Sequence, residues 1–293
     1  MQFESLILPL ILDGIFAGAI YATLAVGLNI TMGVVKILNF AQGEFMMLGM
    51  FATYFLLTYF AVPFAVTVGI VFLIFFVGGI GLDRILFKRA RKLNEVSQII
   101  LTVAISYFLI NFGSYVFSPN YKSVQISFAL KSVSLGFEEI HLNYSQLLLL
   151  AYVVAALLLS HVFLTRTKPG LAMRAVSQDR DLASSLGVKN DRVYGVALGL
   201  SLALTAVGGA LVLPFSAVYP SVGQGYFLLA LVVIVLGGLG SAWGAFVGAM
   251  LLGIVSSFST FYLGGLSYII VYVMFIAVLL IRPQGIFGAR TRV

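Results

Sequence analysis

Two amides and a carboxylate, Asn39, Gln42 and Glu44, lie close together between apolar stretches of membrane-spanning length. A charge at the lipid-facing centre of a helix costs about 2.5–3.5 kcal/mol on insertion scales. Protein must therefore surround these side chains, and they are the candidates for a translocation path or a gate. Direct substrate contact, contact with another subunit and local pairing of Glu44 with Lys36 are the alternatives. Their position near the start of an apolar span is unusual for a site at the bilayer midplane.

Other kinds of chemistry are excluded by residue types that are missing or scattered. The chain has no cysteine, so neither a disulfide nor a thiolate metal site can form. Its two histidines, His141 and His161, are too far apart in the chain to suggest a local metal site. The sequence contains no Gly-x4-Gly-Lys-Ser/Thr loop and no acid–base constellation typical of an enzyme. We therefore predict a protein that is not an enzyme and has no cofactor and no metal ion.

The composition predicts a membrane protein built from helices. Of the 293 residues, 61% are hydrophobic and 9% are charged, whereas soluble domains carry about 25% charged residues. Continuous apolar runs favour helices over a barrel. We predict an all-α, polytopic helical bundle with eight or nine transmembrane helices in a single domain, residues 1–293. The predicted spans are about 6–32, 39–60, 62–83, 98–118, 144–163, 193–215, 225–238, 243–261 and 266–281. The piece at 225–238 is short and bounded by glycine, so a broken or re-entrant helix is the alternative to a full crossing there.

The charged loops predict the orientation of the bundle. Basic residues gather at 84–92, at 166–192 and at 282–292. By the positive-inside rule these three regions are cytoplasmic, whereas the N-terminal residues, with Glu4 and Asp13, lie outside. Nine crossings then place the N-terminus outside and the C-terminus in the cytoplasm. The net charge of +7 reflects this orientation and does not indicate nucleic-acid binding.

The loop at about 165–192 is too long for a turn and carries a helical pattern. Thr167 can cap a helix, Pro169 suits its first turn and Gly187 suits its end. The predicted apolar stripe consists of Leu171, Ala175, Leu182 and Leu186, and the polar faces carry Arg174, Asp179, Arg180 and Asp181. Such a helix could lie on lipid headgroups or dock a cytoplasmic partner. The acids among the bases favour docking.

Glycine spacing predicts close helix packing near the C-terminal end of the chain. Gly240, Gly244 and Gly248 recur at every fourth residue and would give one smooth helix face. That face serves either packing within the subunit or contact with a second membrane subunit. An internal similarity at an offset of 205 residues also suggests that 15–55 and 220–260 are related helical hairpins.

Several motifs, in the same order along the chain, resemble those of one transporter family. The segment 38–45, Leu-Asn-Phe-Ala-Gln-Gly-Glu-Phe, resembles the signature of the branched-chain amino acid ABC permeases, specifically the first of their two permease subunit types. Further matches are Ala17–Ala22, Arg174-Ala175, Leu236–Ser241 and Arg282–Gly288. The turn at Ala183–Gly187 resembles the coupling segment of ABC importer permeases but lacks its glutamate. The family usually has histidine where this chain has Gln42, which argues against a proton-linked role there.

The resemblance implies a permease subunit of an ATP-driven importer for branched-chain amino acids in the cytoplasmic (inner) membrane. Such a subunit pairs with a second homologous permease as a homo- or heterodimer. It also binds two cytoplasmic ATP-binding subunits and an extracytoplasmic substrate-binding protein. The residues expected to couple to the ATPases are Arg174, Asp179, Arg180, Ala183 and Gly187. The alternatives are a permease for urea, amides or other amino acids, and a stand-alone secondary transporter or channel that uses 39–44 as an ion site.

Overall fold

The computed structural model describes residues 2–124, 132–134, 141–238, 240–282 and 285–286, and its long elements are helices. The helices are α1 (Gln2–Ile30), α2 (Gln42–Thr58), α3 (Phe64–Leu82), α4 (Lys88–Ala90), α5 (Glu95–Phe117), α6 (Tyr144–Arg166), α7 (Lys168–Gln178), α8 (Arg180–Ser185), α9 (Asn190–Val212), α10 (Val222–Gly237), α11 (Ala242–Leu263) and α12 (Ser267–Ile281). In the apolar segments the backbone N–H and C=O groups are the main polar groups. A helix pairs these groups with one another by hydrogen bonds inside the segment.

One polar loop departs from the all-helical prediction. Between α5 and α6, strands β1 (Ser132–Ser134) and β2 (His141–Asn143) pair in antiparallel fashion. An isolated bridge also joins Lys122 to Val218. Backbone groups outside a helix still need hydrogen-bond partners, and this short ribbon supplies some of them. The membrane bundle itself is helical, as the composition predicts.

Six helical stretches in the described residues are long and apolar enough to cross a membrane: Ile7–Val35, Phe64–Ala90, Glu95–Phe117, Tyr144–Arg166, Asn190–Val212 and Ala242–Ile281. The predicted eight or nine crossings are not reached by this measure. Helices α2 and α10 have 17 and 16 residues, fewer than the roughly 20 that a crossing helix needs. The last stretch contains both α11 and α12, which a 3-10 turn at Gly264–Leu266 joins.

Helix α9 lies at the centre of the bundle and is buried along most of its length. Helices α1, α2 and α3 all pack against it. Small residues permit this packing, since Gly199 lies against Gly79 of α3, and Gly209 lies against the backbone of Met46 in α2. Close backbone contact of this kind is a main source of helix association in lipid, where no hydrophobic force draws helices together.

An arrangement of three helices occurs twice, in α1–α3 and in α9–α11. The first helix of each unit packs on the third helix of the other, since Gly18 of α1 lies against α11 and Gly199 of α9 lies against α3. The second helices, α2 and α10, meet at Gly43 and Gly223, where a Cβ on either glycine would overlap the backbone of the other. The structure therefore matches α1 with α9, which corrects the predicted match of α1 with α10 at an offset of 205.

The two units run in opposite directions. Helices α1 and α9 cross in antiparallel fashion, because Gly27 lies against Ser201 and Thr205 whereas Thr23 lies against Gly208. In transporters built from inverted repeats, discontinuous helices of the two repeats meet near the bilayer midplane. The two short helices, α2 and α10, occupy corresponding places in the two units of this chain and meet at Gly43 and Gly223.

Gly240 does not belong to the predicted glycine face. It lies in the turn before α11 with a φ of 86°, a left-handed conformation that favours glycine. The helix begins later because Oγ of Ser241 accepts a hydrogen bond from the backbone N–H of Gly244 at 3.0 Å and caps the first turn. Gly244 and Gly248 lie on α11 against α10 of the same chain.

Candidate functional site

A break between α1 and α2 positions the polar stretch. Helix α1 continues into a π-helical turn at Thr31–Val35, and Lys36 follows with a φ of 58°. This left-handed conformation is uncommon for a residue with a side chain and accompanies a sharp change of chain direction. Asn39 then forms a turn, because its Oδ1 accepts a hydrogen bond from the backbone N–H of Ala41 at 3.1 Å. Helix α2 begins at Gln42.

The amide of Gln42 is engaged in hydrogen bonds at both of its ends. Its Oε1 accepts a hydrogen bond from Nδ2 of Asn39 at 3.0 Å. Its Nε2 donates to Oγ1 of Thr205 at 2.6 Å and to Oγ of Ser201 at 3.0 Å. All four side chains are buried. The two amides therefore tie the start of α2 to α9, and their hydrogen-bonding capacity is largely used within the chain.

The same network reaches α1 through Ser201. The hydroxyl of Ser201 donates to the carbonyl oxygen of Gly27 at 2.7 Å and lies 2.6 Å from Oγ1 of Thr31. Gly27 leaves the necessary room, because a Cβ there would overlap the side chains of Thr205 and Gln42. One buried network of hydrogen bonds therefore joins three helices, α1, α2 and α9.

This network lies at the middle of the bundle. Ser201 is the middle residue of α9, which has 23 residues from Asn190 to Val212. A helix rises 1.5 Å per residue, so about 16 Å of α9 extends on either side of Ser201. The expectation that the polar stretch lies near one membrane surface is wrong, because the break after α1 returns the chain to this depth before α2 begins.

Glu44 takes no part in this network. It is 1% exposed, and neither carboxylate oxygen makes a hydrogen bond of good geometry. The hydroxyl of Ser106 in α5 is the side chain that faces it. Local pairing with Lys36 is not found, since Lys36 lines a different pocket with Arg91 and Arg180. Glu44 is thus the one residue of the predicted trio whose polar group is not used by the fold.

Glu44 lines a pocket of about 270 Å³ between α2, α5 and α10. Ser106 and Gln224 add polar groups to its wall. Phe40 and Phe227 add aromatic surface, with ring centroids 5.2 Å apart. Ser106 is the middle residue of the 23-residue helix α5, so this pocket and the network around Ser201 lie at a similar depth.

The loop predicted to couple to an ATPase contains two helices instead of one. Thr167 caps α7 as predicted, since its Oγ1 accepts a hydrogen bond from the backbone N–H of Gly170 at 3.1 Å. Asp179 ends α7 and caps α8, because its Oδ1 accepts from the backbone N–H groups of Asp181 and Leu182 at 2.9 Å each. A capping carboxylate thus interrupts the predicted helix, and periodicity alone does not reveal such an interruption.

The predicted apolar stripe of this loop is wrong. Leu171, Leu182 and Leu186 are 50%, 60% and 77% exposed. Met173 and Val176 of α7 are buried in their place. The break at Asp179 changes the direction of the helix, so one continuous stripe cannot face the bundle. Leu171 on α7, Leu182 on α8 and Leu186 directly after α8 are exposed apolar side chains, and we call these three residues the leucine surface.

The predicted coupling residues occupy different environments around the leucine surface. Arg174, Asp179 and Arg180 are exposed, and Ala183 is buried against the bundle. Gly187 follows α8 with a φ of 85°, the left-handed conformation expected of a glycine at a helix end.

A buried ion pair that the sequence motifs do not reveal joins this region to the bundle. The guanidinium of Arg91 contacts both carboxylate oxygens of Asp83, and both side chains are almost fully buried. The same guanidinium lies 4.4 Å from the ring centroid of Tyr194 in α9, and Arg180 of α8 lies over that ring at 5.9 Å. The signal in the sequence is an acid at the end of an apolar helix with a base about two helical turns further on.

The chain matches one family over most of its length. The family described as branched-chain amino acid transport system / permease component matches residues 10–279. The high-affinity branched-chain amino acid transport system permease protein LivH of Escherichia coli strain K12 is 27% identical, with 94% of each chain covered. The corresponding protein BraD of Pseudomonas aeruginosa is 27% identical, with 95% of this chain and 94% of the relative covered. A probable branched-chain amino acid transport permease protein LivH of Methanocaldococcus jannaschii is 30% identical, with 95% and 92% covered. No solved structure matches significantly.

Proposed function

Because the chain belongs to the family of branched-chain amino acid transport permeases, we propose that it forms the path by which leucine, isoleucine and valine cross the cytoplasmic membrane. It acts as the permease subunit of an ABC importer. Residues 1–293 form one transmembrane domain with a coupling segment at about 165–192. The observation that carries the proposal is the family match over residues 10–279, and the polar midplane site is consistent with it.

We place the N-terminus outside, the C-terminus in the cytoplasm and nine helices across the membrane, with α2 and α10 as short crossings. Basic side chains support this orientation, since Lys36, Arg91 and Arg180 line one pocket at the end of the bundle that carries α7 and α8. The positive-inside rule assigns such an end to the cytoplasm. Arg290 and Arg292, the other bases of the predicted C-terminal cluster, lie outside the described residues.

Transport requires that the path opens to one side at a time, and α2 and α10 are the proposed gate. Asn39 and Gln42 hold the start of α2 on α9, so the two helices move together. Arg91 and Arg180 share the ring of Tyr194 near the start of α9. A displacement of α7 and α8 by the ATPases would therefore reach α9 through this ring, and α2 through Gln42.

The leucine surface is the proposed docking site for a cytoplasmic ATP-binding subunit. Apolar side chains exposed on a cytoplasmic helix suit a protein groove better than water. The acids Asp179 and Asp181 weaken attraction to anionic lipid, which argues against headgroup binding. The assembly we propose contains a second homologous permease, two ATP-binding subunits and an extracytoplasmic substrate-binding protein.

Introducing a charge into the leucine surface tests this role. Leu186→Glu should abolish co-purification of the ATP-binding subunit while leaving the yield of the permease unchanged, because Leu186 is 77% exposed and packs on little of the bundle. Leu93→Glu is the matched control, since Leu93 is an exposed leucine of another loop at 48%. Equal recovery of the ATP-binding subunit with both variants would contradict the proposed surface.

Uptake in proteoliposomes tests the whole proposal. The purified complex with its substrate-binding protein should import labelled leucine only when ATP is supplied on the cytoplasmic side. Unlabelled isoleucine and valine should compete, and urea should not. ATP-dependent uptake of urea in place of leucine would identify the alternative permease class. Leucine uptake driven by an ion gradient without ATP would identify a secondary transporter.

A further inference from the structure

In the described part of the chain, no cationic side chain forms an ion pair with the carboxylate of Glu44. The residue is 1% exposed, and its oxygens have no hydrogen-bond partner of good geometry. Its polar neighbours Asn39 and Gln42 are already bonded to each other and to α9. An ionised carboxylate removed from water is costly unless a cation or several donors meet it. Glu44 therefore suits a cationic partner that comes from outside the chain.

The pocket in front of Glu44 lies where two helix N-termini meet. Helices α2 and α10 begin at Gln42 and Val222, and neither start has a side-chain cap. The two helices touch through Gly43 and Gly223. Backbone N–H groups at a helix N-terminus carry partial positive charge and bind carboxylates. A ligand in this pocket would therefore meet one negative side chain and lie near the positive ends of two helices, while the backbone N–H groups of Val222 and Gln224 themselves donate to Tyr219 and Ser221.

The rest of the pocket is mainly apolar and of modest size. The rings of Phe40 and Phe227 form one side, with Leu228 beside them, and Gln224 contributes an amide. The volume of about 270 Å³ is just below the range of about 300–1,000 Å³ that is typical of sites for drug-sized ligands. Such a pocket suits one small solute that has an apolar part and two opposite charges.

We propose that Glu44 binds the ammonium group of the transported amino acid as it passes the bilayer midplane, an inference that rests on the proposed function. The carboxylate of the substrate lies toward the side-chain amide of Gln224 at the N-terminal end of α10. Its aliphatic side chain lies against Phe40 and Phe227. An uncharged amide such as urea leaves Glu44 without a partner, so this residue favours amino acids over amides within the path.

Ligand binding to the assembled complex, without the substrate-binding protein, tests the assignment of each group. The wild-type complex should be stabilised against heat by leucine and more weakly by isoamylamine, which lacks the carboxylate. Isocaproate, which lacks the ammonium group, should have no effect. Glu44→Gln keeps the size of the side chain and should lose stabilisation by both amines. Thr53→Val removes another buried polar group from α2, and this variant should still be stabilised by both amines.

Transport separates binding from coupling. In proteoliposomes with saturating leucine-loaded binding protein, Glu44→Gln should lower leucine uptake about 30-fold or more, the loss expected when one partner of a buried charge pair is removed. ATP hydrolysis stimulated by the binding protein should persist, because the docking surfaces are unchanged. Thr53→Val should transport like the wild type.

Four outcomes decide the matter. Wild-type uptake and stabilisation in Glu44→Gln overturn the proposal. Joint loss of uptake and of stimulated ATP hydrolysis also overturns it, because that pattern identifies a gate or a coupling residue. If Glu44→Gln does not assemble, Gln224→Leu takes its place: lost stabilisation by leucine supports the pocket, and full stabilisation overturns it. A wild-type complex that hydrolyses ATP but imports no leucine refutes the proposed function instead.

Discussion

Replacing Gln42 by leucine should destabilise the bundle by about 2–5 kcal/mol. The change removes the acceptor of Asn39 Nδ2 and the donor to Thr205 and Ser201, which are contacts at 3.0, 2.6 and 3.0 Å. Interhelical hydrogen bonds in membrane proteins are worth about 0.6 kcal/mol on average and about 1.7 kcal/mol at most. Two of the three bonds are of this kind and together account for about 1–3 kcal/mol, and the buried amide of Asn39, left without an acceptor, adds about 1–3 kcal/mol. Asn39 is completely buried, so water cannot replace its lost partner.

Gln42→His should be tolerated at a cost below about 1 kcal/mol. A neutral imidazole has one acceptor nitrogen and one N–H donor, the same pair of functions that the glutamine amide uses toward Asn39 and Thr205. The family that this chain resembles usually has histidine at this position. A histidine at this position would therefore keep the contacts to Asn39 and Thr205 without any proton transfer.

Unfolding of the purified permease in mixed micelles, with increasing sodium dodecyl sulfate, measures both effects as free energies of unfolding. Thr205→Val and its combination with Gln42→Leu complete a double-mutant cycle, which should show coupling between the two side chains. Equal stability of Gln42→Leu and the wild type would refute the assigned role of the network. A Gln42→His variant as unstable as Gln42→Leu would refute the expectation that histidine keeps these contacts.

Two further predictions concern contacts that hold the bundle together. Gly223→Ala should destabilise the chain by about 1–3 kcal/mol, because a Cβ there overlaps the backbone of α2. Gly225→Ala is the control and should not destabilise the chain, since a Cβ at Gly225 meets open space. Thermal unfolding of both variants measures the difference. Arg91→Met should cost about 3–5 kcal/mol by leaving the buried Asp83 unpaired. The double variant Asp83→Leu/Arg91→Met should recover most of that loss in the same assay, and no recovery would contradict the pairing.

The helical elements could be predicted from the sequence because lipid imposes them. Each predicted span corresponds to a helix within a few residues. The start of α7 at Thr167 and the end of α8 before Gly187 were also predictable, because the capping residue at each place is visible in the sequence. The leucine surface could not be predicted. Its exposure depends on the carboxylate of Asp179, which starts a second helix, and a side-chain cap competes with periodicity in a way that spacing does not show.

The depth of the polar stretch could not be predicted either, since chain position is a poor guide to depth where a helix is broken. Gln42 follows a span and precedes another, so its position suggested a membrane surface. Depth is fixed by which residues it meets, and Gln42 meets Ser201 at the middle of α9. The match of α1 with α9 was missed for a related reason, because inverted repeats conserve packing geometry rather than residue identity.

The placement of the three polar side chains gives each a distinct consequence. Gln42 forms hydrogen bonds to Asn39 and to Thr205 of α9. These bonds fix the position of the N-terminus of α2. That N-terminus meets α10 at Gly43, and one residue later Glu44 lines the pocket with a buried carboxyl group that has no hydrogen-bond partner of good geometry. Gln42 and Glu44 are two residues apart on α2, so their side chains leave the helix on different faces, Gln42 toward α9 and Glu44 toward α5 and α10. The bonds of Gln42 therefore hold one face of α2 on α9, and this leaves the face that carries Glu44 toward the pocket.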